Sequence, residues 1–105
     1  MPPDGRVLRV ISRVTIDIVP SLEEDMIDCL LAFDQLIRFS SYEIRRHGDS
    51  GALSALEKVT GRARALRFDV LLEAQFVDTL LSDVRTTVGL GAPYSITNLL
   101  DHGVL

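Results

Sequence analysis

The stretch RARALRFDVLLEAQFVDTLLSDVRTTVG (residues 62–89) contains, one after the other, the two periodicities from which the fold is predicted. In its first part apolar and polar residues alternate, which is typical of a strand buried on one face. The apolar face of this strand, predicted over 62–72, consists of Leu66, Phe68, Val70 and Leu72. The apolar spacing then lengthens to three and four residues, which predicts an amphipathic helix that Gly89 ends. Its apolar stripe consists of Val77, Leu80, Leu81, Val84 and Val88.

The same order of strand and helix occurs earlier, in residues 10–33. Alternation over 10–19 predicts a first strand, whose inward face is Val10, Ser12, Val14, Ile16 and Ile18. Ser21 followed by Glu24 has the spacing of a capping box, so a helix is predicted to begin at Leu22. Its apolar positions are Leu22, Met26, Ile27, Leu30, Leu31 and Phe33.

Two further strands complete the pattern. Residues 41–46 are predicted to form a strand with Tyr42 and Ile44 inward, and residues 94–100 another with Tyr94, Ile96 and Leu100 on one side. The order β-α-β-β-α-β predicts a ferredoxin-like α+β fold, a four-stranded antiparallel sheet with both helices on one face. The other face is expected to be polar and open. Its predicted residues are Thr15, Asp17, Ser41, Glu43, Arg67, Asp69, Ser95 and Thr97.

Length and composition fit one small domain. We expect a flexible N-terminus over 1–7 and a single domain over 8–105, from which a long central loop, 47–61, projects. The apolar runs are too short to cross a bilayer, no secretory h-region is present, and one cysteine agrees with a reducing cytoplasm. The net charge is −4 and aromatic residues are few, so nucleic-acid binding is not expected. No catalytic signature is present, which favours a binding or regulatory role over an enzyme.

Three features of the sequence resemble the PII-like superfamily of small trimeric signalling proteins. They are the two predicted β-α-β units, the long loop between the second and third strands, and the glycine turn 89–91 (GLG). Three segments, 18–24 (IVPSLEE), 41–48 (SYEIRRHG) and 59–64 (VTGRAR), resemble more narrowly a small PII-like family whose members are often encoded beside heavy-metal efflux pumps. The resemblance implies a cytoplasmic homotrimer with ligand sites in the clefts between subunits. It also implies a mobile loop that contacts a membrane partner, here an inner-membrane efflux transporter.

The turn before the last strand departs from the PII proteins that hold ATP. Those proteins place basic side chains near the phosphates, whereas residues 89–93 contain no Lys or Arg. An adenine nucleotide is therefore a doubtful effector. The backbone N–H groups of Gly89 and Gly91 could still bind an anion.

Four arginines flank the predicted central loop, namely Arg45, Arg46, Arg62 and Arg64. Antiparallel pairing of the two strands brings their side chains together, and like charges across a ladder repel unless an anion or water intervenes. One interpretation is a site for an anion or for an acidic patch on a partner. The alternative is a solvated hairpin base whose arginines pair with nearby carboxylates.

Two histidines lie close to acidic residues. His47 precedes Asp49 at the start of the loop, and His102 follows Asp101 near the end of the sequence. Imidazole and carboxylate ligands suit a transition metal, and a trimer could bring the loop of one subunit to the tail of another. The alternative is two exposed surface histidines. Cys29 is expected to be a packed core thiol.

The predicted function is therefore that of a regulatory protein that senses a small ligand or metal ion and acts on a membrane transporter. Two alternatives are kept. One is a protein-interaction module that binds no small ligand, and the other is a dimeric α+β barrel enzyme with a pocket between sheet and helices.

Overall fold

The computed structural model describes residues 9–47 and 63–105. Four strands are present there: β1 (Ile11–Ile18), β2 (Leu36–Arg46), β3 (Ala63–Glu73) and β4 (Tyr94–Asn98). Two helices lie between them, α1 (Glu23–Ala32) and α2 (Val77–Thr87), each preceded by one turn of 3₁₀ helix. The sheet has the order β2–β3–β1–β4 and every pair is antiparallel. This is the predicted ferredoxin-like α+β fold.

The core lies between the sheet and the two helices, as the alternation in β1 and β3 predicted. The buried strand residues of the core are Val14, Ile16, Ile18, Leu66, Phe68, Val70 and Leu72. Ser12 is buried among them because its hydroxyl donates a 2.7 Å hydrogen bond to Oδ1 of Asn98. Val10 is half exposed, which corrects its predicted inward position. It precedes β1, and its carbonyl accepts a hydrogen bond from the backbone N–H of Ala74.

The start of α1 differs from the prediction. A 3₁₀ turn occupies Pro20–Leu22, the α-helix begins at Glu23, and neither N-cap residue, Val19 or Leu22, makes a capping hydrogen bond with its side chain. The capping box at Ser21 is therefore absent, because Pro20 already starts the first turn with its fixed φ and without a donor N–H. Leu31 was predicted to be apolar core but is 70% exposed.

Helix α2 confirms its predicted stripe. Four of its apolar residues are buried and Val88 packs against them from just beyond the helix. Gly89 follows with φ of +145°, and its N–H donates a 3.0 Å hydrogen bond to the carbonyl of Val84. The glycine therefore ends the helix as predicted, in a conformation that other residues rarely adopt.

Strand β2 starts five residues earlier than predicted and faces the other way. Phe39 pairs with Val70 and lies 6.4 Å, between ring centroids, from Phe68, so it occupies the core face. Side chains alternate along a strand, which places Tyr42 and Ile44 on the open face and moves Ser41 and Glu43 off it. The prediction for these four residues was wrong because burial of Phe39 sets the orientation of the strand.

Strand β4 is a short strand at the edge of the described sheet, where it pairs with β1. It ends at Asn98, before the predicted Leu100, which is fully exposed. All five of its residues are exposed, including Tyr94 and Ile96. Within residues 9–47 and 63–105, neither helix is long and apolar enough to span a bilayer. The predicted flexible N-terminus, 1–7, and nearly all of the predicted loop, 47–61, lie outside the described residues.

Candidate functional site

The open face of the sheet, which is the face turned away from the helices, contains a partly buried ion pair. Nε and Nη2 of Arg67 donate hydrogen bonds of 2.8 and 3.0 Å to the two carboxylate oxygens of Asp17, which is only 7% exposed. Nε of Arg46 lies 4.0 Å from the same carboxylate. The hydrogen bonds to Asp17 raise the pKa of Arg67, which stays protonated. The prediction that Asp17 and Arg67 share the open face is confirmed.

A second carboxylate on this face accepts two hydroxyl donors. Oδ1 of Asp69 accepts a 2.7 Å hydrogen bond from Thr15, and Oδ2 accepts one of 3.0 Å from Tyr42. Because the phenol donates to a carboxylate, the pKa of Tyr42 is raised. Among the described residues, every buried side-chain nitrogen and oxygen atom has a hydrogen-bond partner. The polar side chains at the centre of the open face therefore hydrogen-bond to one another.

The predicted arginine cluster is split between the two faces of the sheet. Arg45 pairs directly with Arg64 across β2 and β3, at the point where both strands meet the central segment 47–61. The neighbouring Arg46 is on the opposite face, near Asp17. Arg62 lies outside the described residues. The structure therefore brings together one pair of the four predicted arginines.

Arg45 and Arg64 line a cleft of about 420 Å³, with Pro20 and Glu43 among the other lining residues. Both arginines are exposed, and within residues 9–47 and 63–105 neither makes an ion pair or a side-chain hydrogen bond. Glu43 is on the same face as Arg45, but its single negative charge does not balance the two arginines, so the cleft has a net positive charge. The cleft is chemically suited to a carboxylate or phosphate group.

The glycine turn before β4 borders a separate cavity of about 280 Å³. Gly89 and Gly91 both have positive φ angles, and a Cβ added at either would meet no atom within 4 Å. The cavity is floored by core residues of β1 and α2, and Arg85 also lines it. The prediction from sequence rested on residues 89–93 alone and missed this basic side chain. The spacing could have indicated it, since Arg85 precedes Gly89 by four residues, about one helical turn, and therefore lies close to the glycine turn.

The two predicted histidines are far apart within one protomer. His47 follows the end of β2, whereas His102 lines a cavity together with Ser40, which precedes His47 by seven residues. At about 3.3 Å per residue along a strand, Ser40 and His47 are about 23 Å apart. Asp49 lies outside the described residues, and no group of three or more metal-ligating side chains occurs within 9–47 and 63–105. A metal site that uses both histidines requires two protomers.

A family model for DUF3240, described as a protein of unknown function, matches residues 11–105. The chain belongs to the DUF3240 family. Its match covers every helix and strand described above, together with the cleft, the glycine turn and the tail. A search of curated proteins found no match to this DUF3240 protein.

Many solved structures resemble this DUF3240 protein, and two of them illustrate the similarity. One is a crystal structure of a DUF3240 family protein from Shewanella baltica OS155, with 19% identity and a TM-score of 0.72, and the match covers 94% of this chain and 99% of that one. The other is a Bacillus cereus protein related to NIF3, with 10% identity and a TM-score of 0.64, and the match covers 91% of this chain but 27% of that one. This chain therefore spans about a quarter of the Bacillus protein. Both similarities support the fold.

The described polar clusters of this DUF3240 protein provide charged and hydrogen-bonding groups. Its described polar clusters are arginines, carboxylates and hydroxyls, while its one cysteine, Cys29, is buried in the core as predicted. Burial, together with the nearby Asp83, raises the pKa of the Cys29 thiol, so the reactive thiolate is disfavoured. The Arg45–Arg64 cleft is the strongest candidate site, because its charges have no partner among the described residues.

Proposed function

We propose that this DUF3240 protein is a cytoplasmic PII-like regulatory protein that assembles as a homotrimer. It senses a small ligand or metal ion in the clefts between its subunits and modulates an inner-membrane transporter for heavy-metal efflux. The observation that carries the proposal is the direct pairing of Arg45 with Arg64 at the base of the central segment 47–61. The ferredoxin-like fold, the glycine turn 89–91 and the resemblance of three segments to the small PII-like family support it.

The arginine pair supplies the electrostatic reason for docking. Like charges directly opposite each other in an antiparallel ladder are destabilising, and no described carboxylate pairs with Arg45 or Arg64. An acidic patch on a partner would relieve this repulsion and form charge-assisted, bidentate hydrogen bonds. Relief of the repulsion between the two arginines then contributes to the free energy of binding.

Transporter capture tests the docking role. The protein is immobilised and incubated with detergent-solubilised inner membranes of its host, and bound proteins are identified by mass spectrometry. We expect wild type to retain a heavy-metal efflux transporter and the R45Q/R64Q variant to lose it. The R9Q/R85Q variant is the matched control, since it removes the same charge from two exposed residues outside the Arg45–Arg64 cleft. Equal capture by both variants, or capture of no transporter, contradicts the proposal.

Assembly and effector are tested separately. Light scattering should give the mass of a trimer, whereas a dimer would favour the α+β barrel alternative. Calorimetric titration with zinc, copper(I), ATP, ADP and AMP then examines the effector. If zinc or copper(I) binds, replacement of His47 and His102 by Ala should weaken the binding, since it removes the two imidazole ligands. The two histidines are far apart within one protomer, so such a site is formed between two protomers. Transporter capture without binding of any of these ligands would favour a protein-interaction module.

A further inference from the structure

A row of residues crosses the open face near the end of the sheet where β2 begins. Cross-strand pairing aligns Arg13 with Leu71 and Leu71 with Arg38, so two guanidinium groups flank a buried leucine. Because neighbouring strands are about 4.8 Å apart, the Cα atoms of the two arginines are separated by about 10 Å. Within residues 9–47 and 63–105, neither arginine makes an ion pair or a side-chain hydrogen bond.

A β-bulge lies beside the second arginine of this row. Leu36 pairs with Leu72 and Arg38 pairs with Leu71, so Ile37 is an extra residue in β2. Arg38 is next to Phe39, which faces the core, so alternation along the strand places Arg38 on the open face. The bulge then returns Leu36 to the core face, opposite Leu72. The charged row therefore lies where the regular part of β2 meets the bulge.

The segment after β4 closes the row into a cavity of about 360 Å³. The backbone N–H of Leu99 donates a 2.8 Å hydrogen bond to the carbonyl of Ile11, which extends the pairing of β1 with β4. Residues 101–103 then lie along the cavity opposite the start of β2, and Leu99 joins Leu71 in an apolar wall. The volume is within the range that suits a small organic molecule.

Charges of both signs line this cavity. Asp101 lines it together with Arg13 and Arg38, and Asp101 likewise makes no ion pair or side-chain hydrogen bond within the described residues. Asp69 also lines the cavity, but both of its oxygens already accept hydrogen bonds from Thr15 and Tyr42. A simple anion would be repelled by Asp101, and a simple cation by the arginines. A molecule that carries both charges is complementary to the cavity.

We propose that this cavity binds a free α-amino acid with an apolar side chain. The carboxylate is held by Arg13 and Arg38, the ammonium group by Asp101, and the side chain packs on Leu71 and Leu99. The site is at the opposite end of the sheet from the Arg45–Arg64 cleft. The proposal of an amino-acid site therefore does not depend on the docking role.

Calorimetry with three matched probes tests the requirement for both charges. L-Leucine is compared with 4-methylpentanoate, which lacks only the ammonium group, and with 3-methylbutylamine, which lacks only the carboxylate. We expect saturable binding of leucine and a loss of about tenfold or more for each analogue, the effect of one missing charge-assisted hydrogen bond. Binding of 4-methylpentanoate as tight as that of leucine overturns the zwitterion site. Absence of binding by leucine, valine and phenylalanine overturns it as well.

Variants then locate the site. R38Q and D101N should each weaken leucine binding about tenfold or more, since each removes one of the two charged contacts. R9Q and D25N are the matched controls, because these exposed residues lie outside the cavity and should leave the affinity unchanged. All four side chains are exposed, and urea unfolding verifies that each variant folds as wild type does. Wild-type affinity in both R38Q and D101N contradicts the assignment, and retained binding in R45Q/R64Q separates this site from the docking cleft.

Discussion

Loss of either partner of the Asp17–Arg67 pair is expected to destabilise the fold, and loss of the arginine should cost more. Arg67→Ala leaves a 7% exposed carboxylate whose nearest remaining guanidinium atom in the described structure is Nε of Arg46, at 4.0 Å. Breaking a buried pair costs about 3–5 kcal/mol. Because the Arg67 side chain is 37% exposed, solvent screening reduces the expected cost to about 2–3 kcal/mol.

Asp17→Ala leaves a cation that water can reach, so we expect a smaller cost, about 1–2 kcal/mol. The double variant should show a coupling free energy of about 1–2 kcal/mol, because the two hydrogen bonds of 2.8 and 3.0 Å are lost only once. Arg67→Lys keeps the charge but loses the fork that contacts both oxygens, so it should restore less than half of the lost stability.

Urea unfolding measures these differences, with all variants at one protein concentration because assembly contributes to apparent stability. Two results would refute the reasoning. One is a coupling free energy within about 0.3 kcal/mol of zero, which indicates independent surface residues. The other is a larger cost for Asp17→Ala than for Arg67→Ala, which indicates that the carboxylate is not the group that burial penalises.

Two further predictions concern α1. Leu30→Ala should lower the free energy of unfolding by about 2–5 kcal/mol, because Leu30 is 1% exposed. Leu31→Ala should lower it by less than about 0.5 kcal/mol, because Leu31 is 70% exposed. Equal losses for the two variants in urea unfolding would contradict the described buried face of α1. The raised pKa of Cys29 means that the folded state favours the neutral thiol, so its contribution to stability is complete below the unfolded pKa of about 8.5 and declines as pH rises above it. Urea midpoints measured from pH 7 to 10 should therefore fall more steeply in wild type than in Cys29→Ala, and parallel profiles would exclude this linkage.

The fold was predictable wherever apolar periodicity extended over a whole element. Strand β3 and helix α2 show this, since every predicted core residue from Leu66 to Val84 is buried. Strand β2 failed because its inward residue, Phe39, lies before the segment that alternates most clearly, and the bulge at Ile37 hides the period of two. Local sequence also could not show that a 3₁₀ turn starting at Pro20 would precede the helix and leave Ser21 without the expected capping role.

The candidate site was predictable only where strand pairing follows directly from chain order. Arg45 and Arg64 flank one connection, so an antiparallel hairpin brings them together whatever its exact register. Arg13 and Arg38 belong to strands that do not pair with each other in the described sheet, and their alignment depends on the register of each strand with β3 between them. The bulge at Ile37 interrupts the alternation just before Arg38, so the face of this arginine becomes visible only after the register is known. The two sites therefore differ in what they require: the first follows from the order of the strands along the chain, and the second from the exact registers of two strand pairs.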